Sequence, residues 1–131
     1  MFVLIFWGYM TLASQQKAKV DKEDKQRYFS LDSANGLYYE EKYDLAVMDA
    51  YKSLEIALKK KFPNVQTEKG TSFELISYAQ QKGYLNKSQV DKAHFARMKR
   101  NEVAHGRSNT SKDTAVQVLS AVRHVIEGLG Y

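Results

Sequence analysis

Three polar residues near the end of one segment have the types and spacing needed for acid–base chemistry at a phosphate. Arg100, Asn101 and His105 lie in the sequence RNEVAHG, which spans residues 100–106. A neutral imidazole is a suitable general base near pH 7, and a guanidinium offers fixed donors to phosphate oxygens. This group could deprotonate a ribose 2′-hydroxyl and stabilise the charge that develops on the phosphate. The alternative is that His105 only caps a helix and complements its dipole.

Arg100 has an unusual predicted position for a charged residue. On a helical wheel at about 100° per residue, it points along the middle of an apolar stripe. That stripe consists of Val90, Ala93, Ala96, Val103 and Ala104. A guanidinium buried there without a partner would cost on the order of several kcal/mol, so Arg100 must meet a carboxylate, a phosphate or another subunit. Glu55, at the edge of an earlier helical stripe, is the candidate carboxylate, and such a pair could simply fix the helix register.

Few other residues have side chains suited to catalysis or ligand binding. His94 shares a helix flank with Asn101, and we predict that His94 and Arg97 line a substrate groove, although a plain surface role for His94 is the alternative. The three histidines lack the spacing of metal ligands, and the chain has no cysteine. We therefore expect no metal and no cofactor. His124 falls opposite the apolar stripe of its helix and is expected to be solvated.

The elements that carry these residues are predicted from apolar spacing of three and four. A first helix includes Tyr28, Leu31, Ala34 and Tyr38, with a possible break at the Asn-Gly dipeptide that follows Ala34, and ends around Tyr43. Asp44 is expected to cap the second helix, which runs to residue 62 and stops before a proline.

Three further helices follow. The third begins at Thr71 or Ser72, carries Phe73 on its apolar stripe and closes at residue 83. The fourth is capped by residue 86 or 88 and ends before Gly106, and the fifth begins at residue 110 or 111. No segment of residues 27–131 alternates with period two. The sequence therefore predicts an all-α fold, an up-and-down bundle of four to five helices.

The amino-terminal residues are expected to lie outside this domain. Residues 1–13 are strongly apolar and uncharged, and residues 14–26 form a polar linker. Thirteen helical residues span about 20 Å, which is short of the roughly 30 Å hydrocarbon core of a membrane. A marginal membrane anchor, a signal peptide and a mis-assigned start all remain open. If the stretch is an anchor, the lysines after it predict a cytoplasmic domain tethered at its amino terminus.

The net charge adds a weak indication. The chain has 20 lysines and arginines against 15 aspartates and glutamates, which gives +5. Such an excess is compatible with a phosphate-bearing partner such as RNA, but a solvated basic surface explains it equally well.

The segment RNEVAHG resembles the signature of the HEPN family, in which an arginine, a polar residue and a histidine follow one another at this spacing. Residues 37–62 are similar to the early helical region of the family, including the pattern that ends at Glu55. The resemblance covers about residues 24–128. It implies a helical bundle that pairs as a two-fold dimer, with the motifs of both subunits facing each other.

The resemblance also implies an activity, a metal-independent endoribonuclease that leaves 2′,3′-cyclic phosphate ends. His105 would be the general base or acid, Arg100 the phosphate-binding group and Asn101 an orienting group. Many members are toxins or defence proteins, and some are paired with nucleotidyltransferase-like antitoxins. Others bind protein or nucleotide without catalysis. Because all three motif residues are present, we expect an RNA-cleaving or RNA-binding homodimer. The alternative is a non-catalytic module that binds protein or nucleotide, with or without a membrane tether.

Overall fold

The structure, a computed structural model, describes residues 31–65, 72–106 and 109–131. These residues form five helices: α1 (Asp32–Tyr39), α2 (Tyr43–Lys61), α3 (Ser72–Gln81), α4 (Lys87–Ala104) and α5 (Lys112–Gly128). They contain no strand. The prediction of an all-helical bundle of four to five helices is confirmed. Residues 1–13 and 14–26, predicted to be an apolar segment and a linker, lie outside the described residues.

Helix α2 is the central element, since it packs against each of the other four helices. Helix α5 packs on α4, α2 and α1, and α3 rests on α4 and α2. The largest side chains of the core are almost fully buried: Tyr51, Leu54, Leu58, Ile76, Leu129, Val47, Val118, Val122 and Val125. Burial of each such aliphatic side chain contributes about 1.5–3 kcal/mol, so these interfaces hold α4 and its motif in place.

The ends of α4 are defined by local hydrogen bonds. Asn86 is the N-cap; its side chain accepts from the backbone N–H of Gln89, whose own side chain accepts from the Asn86 N–H. This reciprocal capping box fixes the start of the helix. Gly106 follows the other end with a φ of 63°, in the left-handed region that glycine tolerates best. The predicted limits of the motif helix are therefore confirmed.

Two details of the amino-terminal half differ from the predictions. Helix α1 continues through the Asn-Gly dipeptide without a break and ends at Tyr39, before a turn in which Glu41 has a φ of 62°. Asp44 does not cap α2, whose N-cap is Lys42 and makes no side-chain cap bond. The Asp44 carboxylate instead accepts the backbone N–H of Thr110 at 2.9 Å. A long-range partner therefore replaces the expected local one.

Helix α5 reaches the start of α4 at a glycine. A Cβ placed on Gly128 would collide with the side-chain amide of Gln89 and would lie 3.2 Å from Leu85. A side chain at position 128 would therefore require the capping glutamine of α4 to move. By contrast, a Cβ at Gly36 in α1 would meet no atom within 4 Å.

None of the helices among the described residues is both long and apolar enough to cross a membrane.

Candidate functional site

Arg100 lies where the last turns of α4 approach the central helix. It is half-buried and lines an open groove of about 570 Å³ that also includes Glu55 and Lys52 of α2 and Leu37 of α1. We call this the Glu55 groove. Positions 90, 93 and 96 of the same stripe are buried in the core, whereas Ala104 is exposed. Arg100 therefore sits where the apolar stripe leaves the core, and its guanidinium can reach the surface as long side chains commonly do.

The predicted ion pair between Glu55 and Arg100 is not formed. Both side chains line the Glu55 groove, but the ion pairs found among the described residues do not include one between them. The physical reason is their partial exposure: each charge keeps contact with water and does not need the other for solvation. The guanidinium of Arg100 is thus not neutralised by a carboxylate of the described part of the chain.

Asn101 is bonded directly to its neighbour in the motif. The Arg100 Nη1 donates to the Asn101 Oδ1 at 3.2 Å. Asn101 itself lines a second open groove of about 560 Å³, together with His94, Arg97 and Met98 along the outer face of α4. We call this the His94 groove. The hydrogen bond between Arg100 and Asn101 therefore connects two surfaces of the same helix.

His105 occupies the C-cap of α4 and is exposed. Its backbone N–H donates to the Asn101 carbonyl at 3.0 Å, which continues the helical pattern by one residue. On the helical wheel His105 lies about 40° from Asn101 and 20° from His94, so the three share one outward stripe. The structure places His105 at the exposed end of the helix that carries Arg100 and Asn101, and the position of its imidazole on the Asn101 flank stays a prediction.

His94 and Arg97, the predicted groove residues, do line the same groove as Asn101. Both pack against Phe73 at the start of α3: the Arg97 Cζ is 5.0 Å from the centroid of the Phe73 ring, and the His94 ring centroid is 5.2 Å away. The His94 Nδ1 and the Arg97 Nε are buried and have no hydrogen-bond partner among the described residues. Burial lowers the pKa of the His94 imidazole and the charge of Arg97 lowers it further, whereas Asp91 raises it.

Phe73 is a residue whose role the sequence did not reveal. It was expected on the buried stripe of α3, yet 47% of it is exposed. Its spacing from Ile76 and Ala79 is that of a core residue, and both of those are buried as expected. The difference arises because Phe73 lies in the first turn of α3, where α4 presents Arg97 and His94 instead of apolar side chains. The spacing of apolar residues contains no information about that neighbour.

A buried hydroxyl pair joins α2 to the start of α3. Tyr51 is almost fully buried and hydrogen-bonded to the hydroxyl of Ser72, which is also buried. Burial raises the pKa of Tyr51 and its bond to Ser72 lowers it. The negative charge of Glu55 also raises the pKa of Tyr51, and the positive charges of Arg97 and Arg100 lower it.

No group of three or more histidine and acidic side chains within residues 31–65, 72–106 and 109–131 could hold a metal ion. His124 is exposed, as predicted, and its Nδ1 lies 3.2 Å from the Lys92 Nζ. The polar side chains considered at the site are the guanidinium groups of Arg97 and Arg100, the amide of Asn101 and the imidazoles of His94 and His105.

No protein-family model matches the chain, and no curated protein shows significant similarity to it.

Proposed function

We propose that this chain is a HEPN-like endoribonuclease or RNA-binding effector that needs no metal ion and acts as a homodimer. The observation that supports this most is the state of Arg100. It is half-buried, oriented by Asn101 and free of any ion pair with the described carboxylates. A cation held in this way is suited to a phosphate oxygen, because its donors are positioned before the ligand arrives.

The proposed reaction is transesterification at a phosphodiester. His105 takes the proton of a ribose 2′-hydroxyl, whose oxygen attacks the adjacent phosphorus. The bond from phosphorus to the 5′-oxygen breaks, the leaving oxygen takes a proton from water, and a 2′,3′-cyclic phosphate remains. The protonated His105 then returns its proton to the solvent. Arg100 stabilises the extra negative charge on the phosphate oxygens, and Asn101 keeps the guanidinium in place. His105 is exposed, so its imidazole is accessible to a substrate.

The homodimer is proposed because one subunit leaves the motif spread over two surfaces. Arg100 faces the Glu55 groove, whereas Asn101 faces the His94 groove and His105 lies at the helix end. A second copy related by a two-fold axis would bring two such helix ends together, so that one site draws on both subunits. The same proposal includes a toxin or defence role, with a nucleotidyltransferase-like antitoxin as the partner. It also includes a cytoplasmic location in which residues 1–13 tether the domain to a membrane.

The Glu55 groove favours a second candidate, a non-catalytic module that binds protein or nucleotide. Its walls combine apolar side chains, including Leu45 with 55% of its surface exposed, with charges of both signs. Such a mixed surface is typical of a protein-binding groove. In that case Arg100 would contribute to partner binding, and His105 would have no role.

The experiment is an RNA cleavage assay with the purified chain in the presence of EDTA. The wild type should cleave single-stranded RNA, and Arg100→Ala, Asn101→Ala and His105→Ala should each reduce the rate. General acid–base catalysis typically contributes about 10²–10⁴-fold, so His105→Ala should lower the rate by at least about a hundredfold. His124→Ala is the matched control, an exposed histidine of α5 that should leave the rate unchanged. Cleavage that survives both His105→Ala and Arg100→Ala would exclude the proposal.

A further inference from the structure

The chemistry on α4 continues beyond the motif toward its amino-terminal half. Arg97 lies about two turns before His105, at an axial distance of about 12 Å given a rise of 1.5 Å per residue. It lines the same groove as Asn101. Arg97 forms no ion pair with a carboxylate of the described residues, and its Nε has no hydrogen-bond partner among them. The motif arginine is therefore accompanied by a second guanidinium that is not neutralised.

The Phe73 ring holds this second guanidinium in place. The Arg97 Cζ is 5.0 Å from the ring centroid, a cation–π distance, and the His94 ring packs 5.2 Å away at a tilt of 34°. Both contacts come from α4, while nearly half of Phe73 remains exposed. The arrangement presents an open aromatic surface beside a fixed positive charge. Proteins that bind single-stranded nucleic acid combine these two features, stacking bases on aromatic rings and holding phosphates with cations.

We propose that Phe73, Arg97 and His94 form a subsite for an unpaired nucleotide of the RNA that neighbours the one at the motif. The base stacks on the exposed part of the Phe73 ring, Arg97 binds the phosphate, and the His94 ring supports Phe73 from the side of α4. This subsite rests on the proposed function and extends it, because it selects single-stranded RNA. In a duplex the bases are already stacked and paired, and none is available to the ring.

The charge of the surrounding surface is compatible with this role. Glu102, one of two acidic residues in the His94 groove, is paired with Lys99 at 3.4 Å. The other, Asp91, lies two helical turns before Met98 and is the acidic group that acts on His94. Toward the motif, therefore, the charge in this groove that is in no ion pair with a described residue is that of Arg97.

The test is the affinity for a short single-stranded RNA whose ribose 2′-oxygens are methylated, so that it binds but cannot be cleaved. Phe73→Ala should weaken binding by about tenfold, which is the effect expected from losing the stacking of one base on an aromatic ring. Arg97→Ala should weaken binding by about the same factor. Phe73→Trp should restore the affinity. Tyr84→Ala is the matched control, because Tyr84 is 46% exposed and lies before the opposite end of α4. When the RNA is annealed to its complement, Phe73→Ala should have no effect.

The possible results separate this subsite from the proposed function. If the wild type binds RNA and Arg100→Ala weakens binding while Phe73→Ala does not, the subsite is wrong and the proposed function stands. If Phe73→Ala changes the mass measured by sedimentation and leaves the affinity per dimer unchanged, the ring belongs to a subunit interface and the subsite is wrong. If the wild type does not bind RNA at all, both proposals are wrong.

Discussion

Replacing Arg100 by methionine separates the two interpretations of that residue by the free energy of unfolding. The structure gives Arg100 one side-chain hydrogen bond, 3.2 Å to the Asn101 Oδ1, and no ion pair with a described carboxylate. Methionine keeps most of the apolar stem that packs in the Glu55 groove. The variant should therefore lose about 0.5–1.5 kcal/mol, the net value of one hydrogen bond. Removing one partner of a buried ion pair would instead cost about 3–5 kcal/mol.

The measurement is urea unfolding of the wild type, Arg100→Met, Glu55→Gln and the double variant. Because the two charges form no ion pair, their effects should add to within about 0.5 kcal/mol. RNA affinity should fall strongly in Arg100→Met and little in Glu55→Gln. A loss of about 3 kcal/mol or more in Arg100→Met, with a clear coupling to Glu55 and unchanged RNA affinity, would contradict this prediction. Arg100 would then be a structural residue.

Three further predictions concern the scaffold around the motif. Gly128→Ala should destabilise the fold by about 1–3 kcal/mol in urea unfolding, because the new Cβ displaces the capping glutamine of α4. Gly36→Ala, the control, should be neutral or stabilising by up to about 1 kcal/mol. Asp44→Ala should cost about 1 kcal/mol through the lost bond to the Thr110 N–H, and an unchanged unfolding midpoint would contradict it. The pKa of His94 is lowered in the folded state, so its contribution to stability is present above about pH 6.5 and falls as the pH drops toward the folded pKa. Between pH 7.5 and 5.5, the free energy of unfolding should therefore fall less in His94→Gln than in the wild type.

Much of the fold follows from local patterns in the sequence. The spacing of apolar residues predicts the helices, and the residues that begin and end α4 act through bonds to their immediate neighbours. Such features depend on spacing and on short-range hydrogen bonds, which the sequence contains directly. Asp44 shows the limit. Its partner, Thr110, is 66 positions away, and no local rule distinguishes that bond from an N-cap.

The site was predicted less completely than the fold, for a related reason. The wheel predicts Asn101 and His105 on one flank of α4 with Arg100 beside them, and the structure shows Arg100 and Asn101 lining two different grooves of that helix. The wheel could not show whether Arg100 forms an ion pair with Glu55, because that depends on how far α2 lies from α4. Phe73 was assigned to the core for the same reason. Its exposure depends on the side chains that α4 presents to it.

The central claim is that His105 and Arg100 process RNA through the ribose 2′-hydroxyl, and the most direct test is the chemistry of the cut end. A single-stranded RNA is incubated with the purified chain in EDTA, the cut position is mapped, and the ends are identified by mass spectrometry. We expect a 2′,3′-cyclic phosphate, no cleavage when the 2′-oxygen at that position is methylated, and loss of cleavage in His105→Ala. Cleavage that needs an added metal ion, tolerates the methyl group or persists in His105→Ala would contradict it.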